Sequence, residues 1–244
     1  MLALLHTSPV HVPVFDALRD AHHPGLELRH LVEEELLDRA RSGGPEAVAD
    51  DVRAALRRAV ADGARAVLCT CSTLGGVAER AAGAAGATVV RVDRPMAAAA
   101  VAAGRRVTVL AALESTLAPT RTLILEEARR AGRPVEVRTV LAAGAWDRFE
   151  AGDTEGYLRR VAAAADAVTD ADADAIVLAQ ASMAPAAGLV ATTVPVFSSP
   201  RAGLAAGAAA ARGVQGPSSG SDRDPKAPGR VGWAHLAVAV HAGE

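Results

Sequence analysis

Short apolar runs alternate with longer, Ala-rich stretches along most of this chain. The runs fall at Leu2–Leu5, Leu26–Val32, Ala66–Thr70 and Val89–Val92, and again at Val107–Ala111, Val135–Val140, Ala175–Ala179 and Val194–Phe197. They are too short for ordinary helices and are rich in Val, Leu and Ile, as strands covered on both faces should be. Between them, segments such as Glu46–Ala61 and Glu155–Val168 place apolar residues at helical spacing. Strand and helix in alternation predict parallel sheets with helices on both faces.

The two series of runs also match each other. Leu2–Leu5 aligns with Val107–Leu110 at a separation of 105, and Leu26–Arg29 aligns with Val135–Arg138 at 109. Val67-Leu68 aligns with Ile176-Val177 at 109 or with Val177-Leu178 at 110, and Val89–Val92 aligns with Val194–Phe197 at 105. A proline, Pro95 or Pro200, follows each member of the last pair. A nearly constant offset over four segments predicts an internal duplication. The first lobe is then 1–94, completed by a helix over 200–212, and the second lobe is 95–199. Gly213–Arg230 changes character to a Gly/Pro/Ser/charge mixture, so 213–244 reads as a flexible or loosely docked tail.

Composition narrows the function. Half of the residues are hydrophobic but only 2% are aromatic, so the core must be built from Ala, Val and Leu. The net charge is −2 with no Lys/Arg stripe, which points away from nucleic acid and from anionic membrane surfaces. No apolar run approaches the ~20 residues of a membrane span, and the apolar start Met1–His6 has no basic leader. Two cysteines two positions apart cannot staple a fold, so a reduced, cytoplasmic setting and a small-molecule partner are expected.

Two duplicated α/β lobes bring the carboxyl ends of corresponding strands together, which is where such sheets bind ligands. At the end of the third run the chain reads Cys69-Thr70-Cys71-Ser72-Thr73-Leu74-Gly75-Gly76. Ser72 or Thr73 is suited to cap the helix that follows. A thiol at a helix start lies near free N–H groups, which favour the thiolate and can also hold a substrate carboxylate. Free cysteines are most often small buried hydrophobes, a reading that fits Cys69 inside its strand. Cys71 stands at the strand end instead, where chemistry is the better reading. Cys-Thr-Cys has no further Cys/His cluster at ligand spacing, so no metal is expected. Gly75-Gly76 is not a dinucleotide fingerprint, so no nicotinamide cofactor is expected either.

Cys71-Ser72-Thr73 after an apolar strand resembles the Cys-Asn-Thr motif of the aspartate/glutamate/hydantoin racemase superfamily. Ile176–Met183 (IVLAQASM) resembles the second cysteine motif of its hydantoin racemases, Leu-Gly-Cys-Ala-Gly-Met. Val109–Pro119 resembles the segment that opens the second lobe, with a threonine near the ligand. The resemblance covers roughly residues 1–212 and implies two pseudo-symmetric flavodoxin-like lobes of α/β class, each a mainly parallel four-stranded sheet flanked by helices. It further implies a cofactor-independent isomerase acting beside the carboxylate of a small acid, often as a homodimer.

Where the family carries its second cysteine, this chain has Gln180, which cannot exchange a proton near neutral pH. Ordinary two-base racemisation is therefore not expected. Cys71 alone suits one-sided proton transfer, thiolate addition to an alkene diacid as in maleate isomerase, or decarboxylation of a malonate-type acid as in arylmalonate decarboxylase. A non-catalytic small-carboxylate binding protein is the alternative from another class. Ser8, Ser72, Thr73, Thr116, Gln180 and Ser182 are the expected substrate-binding residues. Ser115, Ser198, Ser199, His6 and His11 lie near strand ends without an assigned role.

Overall fold

The computed structural model describes residues 1–213; the expected tail falls, from residue 214 on, outside the described residues. Eight strands form two separate, entirely parallel sheets. In the first, β1 (Leu2–His6), β2 (Leu28–Val32), β3 (Ala66–Cys69) and β4 (Val89–Arg91) are ordered β2-β1-β3-β4. In the second, β5 (Arg106–Ala111), β6 (Glu136–Leu141), β7 (Ala175–Leu178) and β8 (Val196–Phe197) repeat the order as β6-β5-β7-β8. The two central strands of each sheet are buried almost throughout, which is why their sequences are unbroken apolar runs and not alternating ones.

Sheet register makes the duplication concrete. Leu2 pairs with both Leu28 and Ala66, and Val107 pairs with both Val137 and Ala175. The fourth pair differs from the sequence alignment. Val67 pairs with Val89 and Ile176 with Val196, so Val89 corresponds to Val196 and not to Val194. The edge strand β8 has only two residues and Val194 packs below it into the core, so apolarity alone misplaced the register.

Helices α1 (His11–His22), α2 (Glu34–Gly43), α3 (Ala49–Ala61) and α4 (Ser72–Ala85) surround the first sheet; a 3-10 turn at Pro45–Val48 leads into α3. The second sheet carries α5 (Arg94–Ala103), α6 (Leu117–Arg130), α7 (Ala145–Glu150) and α8 (Thr154–Asp166), with a 3-10 segment at Ala181–Gly188. Helix α9 (Pro200–Ala211) follows the last strand of the second sheet but buries Leu204 and Ala211 among Leu2, Leu4 and Leu68 of the first. The chain thus closes on its own beginning.

Small residues permit that closure. A Cβ at Gly203 would lie 2.4 Å from the Val92 carbonyl oxygen, and one at Gly207 would lie 3.0 Å from Leu2 Cδ2. With almost no aromatic bulk available, close helix-to-sheet approach is how the core reaches its density. Gly83 on α4 has no atom within 4 Å of such a Cβ. Gly203→Ala is therefore expected to destabilise by about 1–3 kcal/mol, whereas Gly83→Ala should be neutral or stabilising by up to about 1 kcal/mol. Urea midpoints of the two variants check both signs.

Candidate active site

Four strand ends converge on one cleft. From β1 it receives Thr7, Ser8 and His11, and from β3 it receives Thr70, Cys71, Ser72 and Thr73. The second sheet contributes Leu113 and Thr116 after β5, then Gln180, Ala181 and Ser182 after β7. Every site residue expected from the sequence lines this one cleft, while Ser198 and Ser199 do not. Cys71 and Gln180 each stand two residues beyond the end of their strands, so they are equivalents under the duplication.

Cys71 is the N-cap of α4 and is partly exposed to the cleft, whereas Cys69 is fully buried in the core and donates weakly to the Cys71 carbonyl (3.7 Å). The expectation of a thiolate-leaning Cys71 is corrected here. Burial pushes its thiol above the ordinary cysteine range; the Thr7 hydroxyl, the N–H groups of Leu74 and Thr73 and the Thr73 hydroxyl oppose that rise without cancelling it. A thiol at neutral pH that is ringed by donors rests as S–H, yet it has partners ready for the thiolate it leaves behind.

One further expectation needs adjustment, the cap at Ser72. The Ser72 hydroxyl lines the cleft but does not cap α4; it donates to the Ala179 carbonyl of the opposite lobe at 2.7 Å. Gln180 is fixed by its side-chain oxygen, which accepts from the N–H groups of Ala112 (2.6 Å) and Leu113 (3.3 Å). Both partners are donors, so the oxygen must be at that end and the NH₂ group is left as the free end of the amide. Ser182 shares a hydrogen bond with the Tyr157 hydroxyl (2.8 Å).

Sequence reasoning passed over several cleft residues. Leu37 of α2 with Trp146 and Phe149 of α7 form an apolar wall. The signal was available: three of the six aromatic residues in the sequence lie between positions 146 and 157. Behind the Cys71 loop, Arg91 and Asp93 form a buried, two-bond ion pair (2.9 Å each), and Arg91 also reaches the Ser72 carbonyl at 3.5 Å. Gly75 leaves the room for this guanidinium, since a Cβ there would lie 2.6 Å from Arg91 Nε.

Beside the thiol loop runs a chain of imidazoles. Thr70 Oγ1 donates to the Leu5 carbonyl (3.1 Å), so His6 Nδ1–H donates to Thr70 (2.8 Å). His6 Nε2 meets His30 Nδ1 (2.8 Å), and His30 reaches Asp16 at 3.4 Å. Burial, with His11 and His30 adding to it, lowers His6 to about 3, and burial lowers His11 to about 4. Among the described residues no group of acidic, His and Cys side chains is arranged to hold a metal, and no helix is long and apolar enough to cross a membrane.

Two similar lobes with one cleft at their facing strand ends are the architecture of a known protein family. The Asp/Glu/hydantoin racemase family model matches residues 14–207, and the chain belongs to that family. Its fold is similar to that of the glutamate racemase of Bacillus anthracis (15% identity, TM-score 0.62, covering 88% of this chain and 83% of that one). The aspartate racemase of Picrophilus torridus is similar too (14%, TM-score 0.62, 87% and 94%), as is the allantoin racemase of Pseudomonas fluorescens (18%, TM-score 0.52, 94% and 100%). At these identities the likeness is one of fold. No protein of curated function matches the chain significantly.

Two measurements test the electrostatics. Because the Cys71 thiol is raised, its alkylation by iodoacetamide should be slow at pH 7 and should rise with pH beyond the range of an ordinary cysteine. For His6 and His11 the folded values lie below the ordinary histidine value of 6.5, so the unfolded chain binds more protons in acid. Their stabilisation is complete above that value and is lost as pH falls from 6.5 toward 4 for His11 and toward 3 for His6. The slope is up to about 1.4 kcal/mol per pH unit per histidine. Urea unfolding across this window should be flatter in His6→Gln.

Proposed function

We propose that this protein is a cofactor-independent enzyme that transfers a proton at the carbon next to the carboxylate of a small acid. Cys71 is the proton donor on one side, and the amide N–H groups of Gln180 hold an oxygen of the acid on the other. The observation that carries this reading is the contrast between two equivalent positions. In one cleft, at matching strand ends, one lobe presents a thiol beside hydroxyl and N–H donors and the other an amide whose oxygen is already bound, leaving its NH₂ group free to donate. Such a site works on one face of the carbon, not two.

Within that reading the raised thiol favours decarboxylation of a malonate-type acid over resting-thiolate addition. One carboxylate leaves as carbon dioxide, and its bonding electrons pass into an enediolate on the remaining carboxyl group. Donors at the cleft, the Gln180 NH₂ and the hydroxyls of Ser8 and Thr116, stabilise that charge where it develops. The Cys71 S–H bond then breaks and its proton goes to the α-carbon. The thiolate, supported by Thr7, Thr73 and Leu74, takes its next proton from water.

Proton NMR in D₂O of α-substituted acids tests this. The panel contains amino acids, hydantoins, malonates and maleate, each with wild type, Cys71→Ala and Gln180→Ala. Deuterium incorporation or carbon dioxide loss is expected in the wild type, background rates in Cys71→Ala, and a loss of about 10²–10³-fold in Gln180→Ala. Equal activity of wild type and Cys71→Ala would remove the thiol from the reaction. Silence across the panel, with ligands still showing saturation transfer, would make this a binding protein.

A further inference from the structure

We infer that the cleft takes up a carboxylate together with a proton, and that His11 receives that proton and then faces the bound acid as its counter-ion. This rests on the small-acid reading of the cleft and adds to it how the charge of the acid is answered.

The argument starts from the charges that the cleft lacks. Among the described residues its wall contains no arginine, lysine, aspartate or glutamate. Hydroxyl and N–H donors can hold a carboxylate, but an anion taken out of water without a cation is strongly disfavoured. Only two side chains in the wall can change charge near neutral pH, Cys71 and His11, and of these only His11 can become positive. The duplication places the ring. His11 N–H donates to the Ser8 carbonyl (3.4 Å) as Thr116 N–H donates to the Leu113 carbonyl (3.1 Å), both donors and both acceptors being 105 residues apart (116 − 11 and 113 − 8). His11 and Thr116 are therefore equivalents that line the cleft from opposite lobes. An acid held between the lobes meets an imidazole on one side and a hydroxyl on the other.

The surroundings keep this ring neutral until an anion arrives. Burial by the protein holds it at about 4. His11 is also the first residue of α1, whose positive end resists a second positive charge and attracts an anion. Behind it, the His6 ring of β1 lies 6.1 Å away, centre to centre, and is lowered to about 3, so it does not compete for the proton. His6 and His30 of β2 direct their nitrogens to each other, to Thr70 and to Asp16, whereas among the described residues the His11 ring has no such partner. Asp16, on the same helix as His11, is answered by Arg19 at 3.3 Å. From α2 and α7 the cleft receives only Leu37, Trp146 and Phe149; Arg41 of α2 is held outside the wall by Glu150 (3.4 Å) and Asp38 (3.9 Å). The second lobe adds Leu113, Thr116, Gln180, Ala181 and Ser182, none of which titrates. A carboxylate beside His11 reverses the balance, because its attraction for the imidazolium returns the ring toward the ordinary histidine value. The lone pair of one ring nitrogen then forms an N–H bond with a proton given up by water or buffer acid, whose conjugate base remains in bulk solution.

Calorimetric titration of the full chain with malonate, methylmalonate and maleate tests this by binding alone, in buffers of different ionisation heat between about pH 5.5 and 7.5. The ionisation of the acid itself is the same for every protein and cancels in the comparison. Wild type is expected to take up as much as about one more proton per acid bound than His11→Gln, and to gain affinity over that variant by up to about tenfold per pH unit as pH falls. The sign follows because the complex binds more protons than the free protein, and the gain ends near 4, where His11 is charged in both. Cys71→Ala should retain the extra proton, which assigns it to the imidazole and not to the thiol. Proton NMR of the His11 ring in the wild type reads the same linkage without a variant: its titration should lie near 4 without acid and higher with maleate bound. Equal proton uptake by wild type and His11→Gln, or a His11 signal unmoved by a bound acid, overturns the inference. Proton-linked binding without turnover would sink the enzymatic reading and uphold the role of His11; turnover with His11 neutral in the complex would do the reverse. Absence of binding by all three acids would overturn the two together.

Discussion

The hydrogen bond from Ser72 to the Ala179 carbonyl is the contact on which the site's geometry turns. It joins the residue after Cys71 to the residue before Gln180, so the two chemically distinct ends of the cleft are held in register by a single buried bond. Ser72 can serve only if the α4 start is itself fixed from behind, which Arg91 does by touching the Ser72 carbonyl while locked onto Asp93. A buried ion pair of this kind contributes little net stability, because its desolvation offsets its attraction. Its value is directional: removing either partner would leave an uncompensated charge beside the loop that carries the thiol. Gly75 belongs to the same device, because only a residue without a side chain leaves the guanidinium its place.

The lobes are held together at a second level by charge. Arg94, at the start of α5, pairs with Glu79 of α4 and with Glu126 and Glu127 of α6 in a half-buried network. Helix α9 crosses back to the first sheet along a glycine face. Both devices keep two sheets that share no strand from drifting apart. That matters for any reaction whose donor sits on one lobe and whose oxygen-binding group sits on the other, since a displacement of about 1 Å at such a site is costly.

Much of this was legible in the sequence, for a physical reason. Strands covered on both faces must be largely apolar, so the runs of the four central strands stood out, and duplication repeated their order. The chemistry of parallel sheets collects at carboxyl ends, so Ser8, Cys71, Ser72, Thr73, Thr116, Gln180 and Ser182 could be placed in one cleft without coordinates. What sequence does not display is how a side chain spends its hydrogen bonds. Ser72 looked like a helix cap, but its hydroxyl donates to Ala179. Cys71 looked like a thiolate because N–H groups at a helix start favour one, yet burial outweighs them. The register of β8 failed because two residues carry too little pattern to distinguish Val194 from Val196. The aromatic wall was overlooked because α7 is half-exposed, although the rarity of rings in this chain was itself a clue.

The duplication finally explains why Gln180 can stand where a thiol is expected without loss of the cleft. In the first lobe the residue two places beyond the third strand is supported by Thr7, from the loop after β1. In the second lobe the equivalent residue is supported by Ala112 and Leu113, from the loop after β5, through their backbone N–H groups. A threonine hydroxyl can donate to sulfur and turn as the charge on it changes. Two fixed N–H groups suit an oxygen that is always an acceptor. Each loop therefore matches the side chain opposite it. Gln180 is thus held as firmly in its loop as Cys71 is in its own.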